Sequence, residues 1–476
     1  MILKHLHRVS DYEWLYPKSG SMLVDGLLIG SEDILATVEE VVLHQITHIA
    51  SLPGVADRVI ALPNVNKGAG FPSGCVAAFD RANGVVVLSG IGRDINCGIR
   101  MVTTNLIAQD IEKKSETLIR EFYKAIPCGS TGLSRINLSR KDLAEIFVQG
   151  ARWVIENRGM GKPEELDFIE DGGVVEGGNP EVLSEEVYKR EKHHIGTLGN
   201  GSHYLELQVV EEVFDIERAR AFGLFKNQVV VTFQAGSRSV GEQVYQEYSE
   251  IFKKSSKKYD HPVKSPELYY LPSSSDEGKA YIGAVRAAMN YGYANRQAIG
   301  HSIHQVFNDV IKDVDTNTMY DLGHHTLTDE VHKVGPSRAH QLVHRNGCCR
   351  NFIGHISGIA RPYSVSGQPV IIGGSMGSAS YVMAGREESL EKTFGTTVHG
   401  SGRIVPSDLA REKFSPGDLA RDLEAKGIYL KIRDRERISE DAPEAYRDIE
   451  EVARTINKSG LSLRVARLRP IGVMRG

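Results

Sequence analysis

The chain has 476 residues, a formal net charge of −4 and 41% hydrophobic residues, the balance of a globular protein long enough to bury a core. No apolar run approaches the ~20 residues of a membrane span, and Met1-Ile2-Leu3-Lys4-His5 opens no apolar signal core, so no membrane segment is expected. The near-neutral charge excludes a nucleic-acid grip by bulk charge and leaves only a local basic patch, and the five cysteines form neither a disulfide framework nor a paired zinc knuckle, which fits a reducing, cytoplasmic compartment.

Val85-Val86-Val87-Leu88 is a short β-branched run that predicts a buried strand. The turn Asp94-Ile95-Asn96-Cys97-Gly98 follows it. A hard carboxylate and a soft thiolate so close together make half of a metal site, because a thiolate can bridge two ions and a carboxylate can bind one of them. Asp110 to Ala125 carries Ile111, Leu118, Ile119 and Phe122 at helical spacing and closes before Pro127. Asp142 to Asn157 is a second amphipathic helix, with Leu143, Ile146, Phe147 and Val154 inward and Gly159 as its stop. Pro163 to Glu186, acidic and glycine-rich, reads as a surface insertion, as does Lys253 to Gly278.

His203 lies in Gly199-Asn200-Gly201-Ser202-His203-Tyr204-Leu205-Glu206, a glycine turn ahead of an apolar stretch whose spacing is not that of a dinucleotide fingerprint. Val229 to Phe233 predicts another buried strand. Gly236-Ser237-Arg238 sets a guanidinium behind small residues, where it can reach a phosphate. Asp321-Leu322-Gly323-His324-His325 places paired histidines at a packed turn, and His344-Arg345 with Arg350 adds basic groups around a structural Cys348-Cys349. Pro369 to Ile372 is a third strand. It runs into Gly373-Gly374-Ser375-Met376-Gly377-Ser378-Ala379-Ser380, whose successive N–H groups and hydroxyls suit an anion without the lysine of a P-loop. His399-Gly400-Ser401-Gly402-Arg403 holds an imidazole in a small-residue turn beside a cation, and Ala442 to Asn457 is a third helix.

Strands and helices alternate irregularly, so the fold class is α+β. The site candidates run from Asp94 to Arg475, which argues for one integrated domain over residues 1–476, a mixed β core flanked by helices. Half a metal site, anion-binding turns and a histidine nucleophile together point to metal-assisted phosphoryl or nucleotidyl transfer.

The ordered motifs resemble the RtcB family of RNA-splicing ligases. The resemblance runs through Gly70-Phe71-Pro72, Asp94 to Gly98, Gly196-Thr197-Leu198-Gly199, His203, Gly236-Ser237-Arg238, His344-Arg345, Gly374 to Gly377, Ala379-Ser380-Tyr381, His399 to Arg403 and Met474-Arg475-Gly476. It implies a GTP- and Mn²⁺-dependent ligase that joins RNA ending in a 2′,3′-cyclic phosphate or 3′-phosphate to RNA with a 5′-hydroxyl, in tRNA splicing or RNA repair. An archease-like activator is an implied partner. By motif, His399 is the nucleophile that takes GMP. Asp94, Cys97, His203, Gln234 and His324 fall at the ligands of two metal ions. Cys97 bridges them, Asp94 and His324 complete one, and His203 and Gln234 complete the other, weaker one. Ser202, His203, Tyr204, Leu205, Glu206, His324, His325, Gly373, Gly374, Ser375, Met376, Ser380, His399, Gly400, Ser401, Gly402 and Arg475 match the guanosine nucleotide contacts. Arg238 and Arg403 match RNA-phosphate binders. The chain departs from the family pattern at Gln234, where histidine is usual, and at Asn64, Asn66, Ser202, His325, Asn346 and Arg475. Those departures leave two other readings, a metal-dependent RNA phosphoesterase and a non-catalytic RNA-end or nucleotide binder.

Overall fold

Two sheets and one long helix carry the architecture. The structure is a computed structural model and describes residues 2–129, 132–259, 265, 267–354, 356 and 358–476. One sheet runs His7–Arg8, Glu13–Tyr16, Asp25–Ile29, Arg58–Asn66, Ser73–Asp80, Ser337–Asn346, His325–Val334. The other runs Thr316–Gly323, Gly98–Ile107, Gln228–Ala235, Tyr204–Val213, Ser462–Arg475, Ser380–Gly385, Pro369–Ile372, with Tyr429–Ile432 added parallel to Ser462–Arg475. Strands and helices are mixed in one chain, so the α+β expectation holds. His324 alone separates Thr316–Gly323 of one sheet from His325–Val334 of the other, so a candidate site residue sits where the chain changes sheets.

The apolar runs become strands because both of their faces are covered. Gln228–Ala235 is buried along its whole length. Val229, Val231 and Phe233 pack with Leu118, Phe122, Ile299 and Phe307, while Val230 faces a second core with Met101 and Tyr320. Such two-sided burial explains a continuous rather than alternating apolar pattern. Val85–Val87 and Pro369–Ile372 are strands as the sequence predicts.

The long helix is Asp276–Val310. Ser275 caps it by accepting from the Gly278 N–H, and Asp276 and Glu277 suit the positive end of its dipole. Alanines and glycines through its middle let other elements approach on every side. Its buried polar residues, Asn290, Asn295, Arg296 and Gln297, are all hydrogen-bonded.

Some sequence expectations need correction. The Asp110–Ala125 helix is two pieces, Ala108–Ile111 and Ser115–Ala125, which together bury Ile111, Leu118, Ile119 and Phe122. The second helix spans Arg140–Arg158 and ends at left-handed Gly159, but it breaks at Gly150, which packs against the Gly173 carbonyl. The Ala442–Asn457 helix is only Ile449–Lys458, because Pro443 opens a separate turn and Asp448 caps the helix proper. Pro163–Glu186 is not an excursion into solvent. Its Glu170 is fully buried and accepts from Arg350, Gln368, Tyr293 and the Gly323 N–H. Lys253–Gly278 starts inside the helix Ser239–Lys258, and its Tyr270–Pro272 pairs with Val85–Val87; residues 260–264 and 266 lie outside the described residues.

Candidate active site

One turn of the long helix ties three loops into a site. Arg296 donates from Nη1 to the carbonyls of Asn96 at 2.6 Å and Ala235 at 3.0 Å, beside Cys97 and Gln234. Its Nε pairs with Asp321 at 2.8 Å, and Arg100 takes the other Asp321 oxygen at 2.7 Å. Asn295 accepts from the N–H groups of Gly196 and Thr197 at 2.8 and 3.1 Å and donates to the Gly236 carbonyl at 3.0 Å. These bonds satisfy buried groups that would otherwise be costly to desolvate.

Asp94, Cys97 and His203 converge, with their ligand atoms within 4.8 Å of one another. His203 Nδ1 donates to the Leu198 carbonyl at 2.7 Å, which sets the tautomer and turns Nε2 toward Asp94 Oδ2 at 2.7 Å and Cys97 Sγ at 3.3 Å. Burial alone would raise the Asp94 carboxyl, but the His203 imidazole and the Cys97 thiol hold it down at about 2. Burial, reinforced by the Asp94 charge, pushes the Cys97 thiol well up, while a hydrogen bond with Gln234 pulls the other way. A carboxylate oxygen, a thiol and an imidazole with a fixed outer hydrogen bond suit a transition-metal ion. Of the expected ligands, Asp94, Cys97 and His203 converge directly, while the His324 ring lies on His399 with its Nδ1 buried and unpartnered among the described residues.

His324 and His399 stack, with ring centroids 4.1 Å apart and planes at 19°. The His324 N–H donates to the Cys97 carbonyl at 2.8 Å, so the stack is fastened to the metal-candidate turn. His399 Nδ1 lies 2.7 Å from the Gly347 carbonyl. A carbonyl only accepts, so Nδ1 carries the proton and Nε2 keeps its lone pair. Burial, helped by His325, brings His399 down to about 4, so the ring is neutral near pH 7. His325 Nδ1 accepts from the Gly347 N–H at 3.2 Å.

The glycine loop after Pro369–Ile372 abuts the His399 turn. Gly373 bridges Gly400, and its N–H donates to the His399 carbonyl at 3.2 Å. Behind it, Gln208 donates to Glu206 at 2.7 Å and to Ser380 at 3.1 Å. Burial pushes the Glu206 carboxyl up to about 7, against the pull of Arg475 and the Gln208 hydrogen bond. This folded value exceeds the ordinary 4.5. Its contribution to stability is therefore complete below about pH 4.5 and lost as pH rises through about 7. Glu206→Gln should accordingly gain stability over the native chain between pH 5 and pH 8, by roughly 3 kcal/mol. Urea denaturation at both pH values checks this, and a pH-independent difference would contradict it.

A family model described as tRNA-splicing ligase RtcB matches residues 45–476. The chain belongs to the RtcB family. It is 36% identical to the tRNA-splicing ligase RtcB of Thermococcus kodakarensis over 99% of both chains. It is 37% identical to that of Archaeoglobus fulgidus, again over 99% of both. It is 37% identical to that of Methanococcus maripaludis over 96% of this chain and 95% of the relative.

The remaining RtcB motif residues fall around these groups in different ways. Ser202 is exposed at the mouth, whereas Leu205 and Met376 point away into apolar clusters, so only their backbones can face a ligand. Arg238 adopts a positive φ of 57°, and its Nη1 packs on Gly199, whose own φ of 91° favours glycine there. The forks of Arg403 and Arg475 are already engaged, since both pair with Asp441 and Arg403 also donates to Tyr446. His344 and Arg345 are no basic surface. Both are fully buried, with His344 accepting from the Val87 N–H and Arg345 paired with Glu330. Sequence reasoning missed Gly347, Asp441, Tyr446 and Arg447. The local signal for Asp441, Tyr446 and Arg447 is only a polar run before a helix, and Gly347 is a left-handed turn between two strands. Among the described residues no helix is long and apolar enough to cross a membrane.

Proposed function

We propose that this chain is a GTP- and Mn²⁺-dependent RNA ligase. It joins RNA ending in a 2′,3′-cyclic phosphate or 3′-phosphate to RNA with a 5′-hydroxyl, in tRNA splicing or RNA repair. The observation that carries this reading is His399, neutral, protonated at Nδ1, stacked on His324 and in a turn that abuts the glycine loop. Membership of a family whose relatives are named tRNA-splicing ligases supports it.

The Nε2 lone pair attacks the α-phosphorus of GTP, the bond to pyrophosphate breaks, and GMP is left on the ring as a phosphoramidate. The ring becomes cationic at that step, and the Gly347 carbonyl on Nδ1–H stabilises the charge. An oxygen of the RNA 3′-phosphate then takes GMP from His399, and the 5′-hydroxyl of the second strand displaces GMP as the phosphodiester forms. Asp94, Cys97 and His324 would hold one divalent ion, and Cys97, His203 and Gln234 a second, weaker one. Such ions supply charge neutralisation at the phosphates. Ser202, the Gly373–Ser380 loop, Glu206 and the unpartnered Nε of Arg475 would hold the nucleotide, and Arg238 the RNA phosphate, with Arg403 joining it by exchanging Asp441 and Tyr446 for the phosphate.

Incubation with α-labelled GTP and Mn²⁺ tests the reading. An acid-labile protein–GMP adduct followed by sealing of matched RNA ends is expected. Phosphate release from RNA without an adduct would instead favour a phosphoesterase, and nucleotide binding with neither would favour a non-catalytic binder. Gln234→His should tighten the weaker Mn²⁺ site by at least about 10-fold, since an imidazole is a better ligand than an amide oxygen. Calorimetric titration of Mn²⁺ reads this, and unchanged affinity would remove Gln234 from the ligand set.

A further inference from the structure

Among the described residues Arg447 is a buried cation without a counter-charge. It is 6% exposed. The other buried arginines are all paired: Arg100 and Arg296 with Asp321, Arg345 with Glu330, Arg350 with Glu170 and Asp171, and Arg475 with Asp441. Among the described residues the hydrogen-bond partners of the Arg447 side chain are all neutral. Nε donates to Thr37 Oγ1 at 3.0 Å, and Nη2 donates to the Val65 carbonyl at 2.9 Å and weakly to Asn66 Oδ1 at 3.5 Å. Among the described residues Nη1 has no hydrogen-bond partner. Burial brings the guanidinium down to about 10, with no carboxylate holding it up. An unpaired buried charge is among the most costly features a fold can hold, and natural chains keep one where a ligand compensates it.

Its position says which reaction that ligand belongs to. The Arg447 N–H donates to the Gly402 carbonyl at 3.0 Å. A Cβ at Gly402, whose φ is 83°, would lie 2.8 Å from Nη1 and 2.7 Å from the Asn64 backbone. Asn64 in turn donates to the Gly347 carbonyl at 2.7 Å, the same oxygen that holds His399. Its own Oδ1 has no partner. The His399 turn thus has two flanks. Gly400 meets the glycine loop read as the nucleotide site, and Gly402 meets Asn64 and Arg447.

We propose that Arg447 is an anion-binding residue of this active site, whose free Nη1 edge takes a phosphate oxygen of the RNA end on the flank of the His399 turn away from the nucleotide. The assignment of that anion to RNA rests on the ligase reading above. A planar guanidinium edge is matched to phosphate, and among the described residues no carboxylate acts on Arg447. Protein atoms cover Nη1, so a phosphate reaches it only when a neighbour moves, and the most weakly held group on Arg447 is the Asn66 amide, which contacts the adjacent Nη2. That amide is half-buried and held by contacts of only 3.4 and 3.5 Å.

The test compares the full-length chain with Arg447→Met and Arg447→Lys. Two labelled oligoribonucleotides, identical except for a 3′-phosphate or a 3′-hydroxyl, are titrated by fluorescence anisotropy. Inorganic phosphate is followed by its effect on Tm. Arg447→Met should weaken the phosphate-ended oligonucleotide by about 10-fold or more, leave the hydroxyl-ended one unaltered, and abolish the rise in Tm with phosphate. Arg447→Lys should restore part of both. Because no ion pair is lost, the Tm of Arg447→Met without phosphate should fall only by what the bonds to Thr37 and the Val65 carbonyl contribute, with phosphate no longer raising it. Unchanged discrimination between the two oligonucleotides in Arg447→Met would overturn the proposal. So would a fall in Tm with phosphate binding intact, which marks a purely structural residue. If the native chain failed to distinguish the oligonucleotides while phosphate still stabilised it through Arg447, the anion site would stand and the RNA-ligase reading would fall.

Discussion

His399→Ala should leave no GMP on the protein and lower RNA sealing by about 10⁴-fold or more, the scale on which a covalent nucleophile is lost. No other group is placed to replace it. His324 stacks on it, but its backbone N–H is fastened to the Cys97 carbonyl, and the His325 Nδ1 is occupied by the Gly347 N–H. The alanine variant should remain folded, because His399 is only half-buried and its hydrogen bond to Gly347 is duplicated by Asn64. Mass spectrometry after incubation with GTP and Mn²⁺, beside a thermal melt, reads both parts. An adduct that survived in a folded alanine variant would assign the chemistry to another residue.

Asp321→Ala should be the most damaging substitution for stability, at about 3–5 kcal/mol. Asp321, Arg100 and Arg296 have fully buried side chains, so one carboxylate compensates two guanidinium groups. Removing it leaves two charges in a dry interior. The damage should also spread to the site, because Arg296 holds the carbonyls beside Cys97 and Gln234. Urea unfolding should show the loss, and Mn²⁺ titration at a temperature where the variant is folded should show weaker binding. A change under about 1 kcal/mol would mean that the network is solvated rather than dry.

Much of the fold is legible where a run has only one physical use. Val85–Val87, Gln228–Ala235 and Pro369–Ile372 are strands because β-branched runs that short bury themselves best in a sheet. Gly159 ends a helix because it is left-handed there. Polar segments are harder to read. Pro163–Glu186 looks like solvent-facing chain until Arg350 and the Gly323 N–H are seen to meet on Glu170. Ala442–Asn457 looks like one amphipathic helix until Asp448 is seen to cap a shorter one.

The site divides in the same way. By itself the sequence determined the chemical vocabulary: a carboxylate, a thiol and imidazoles in glycine-framed turns, and the family those turns belong to. The tertiary structure decided how the vocabulary is used. It grouped Asp94 with His203 and laid His324 on His399. It set the His399 proton on Nδ1 through Gly347 and shared Asp441 between Arg403 and Arg475. It left Arg447 without a counter-charge among the described residues. Each of these depends on which groups lose water together and which find a partner there. That is settled by contacts between segments far apart in the chain, and a local pattern of residues carries no trace of it.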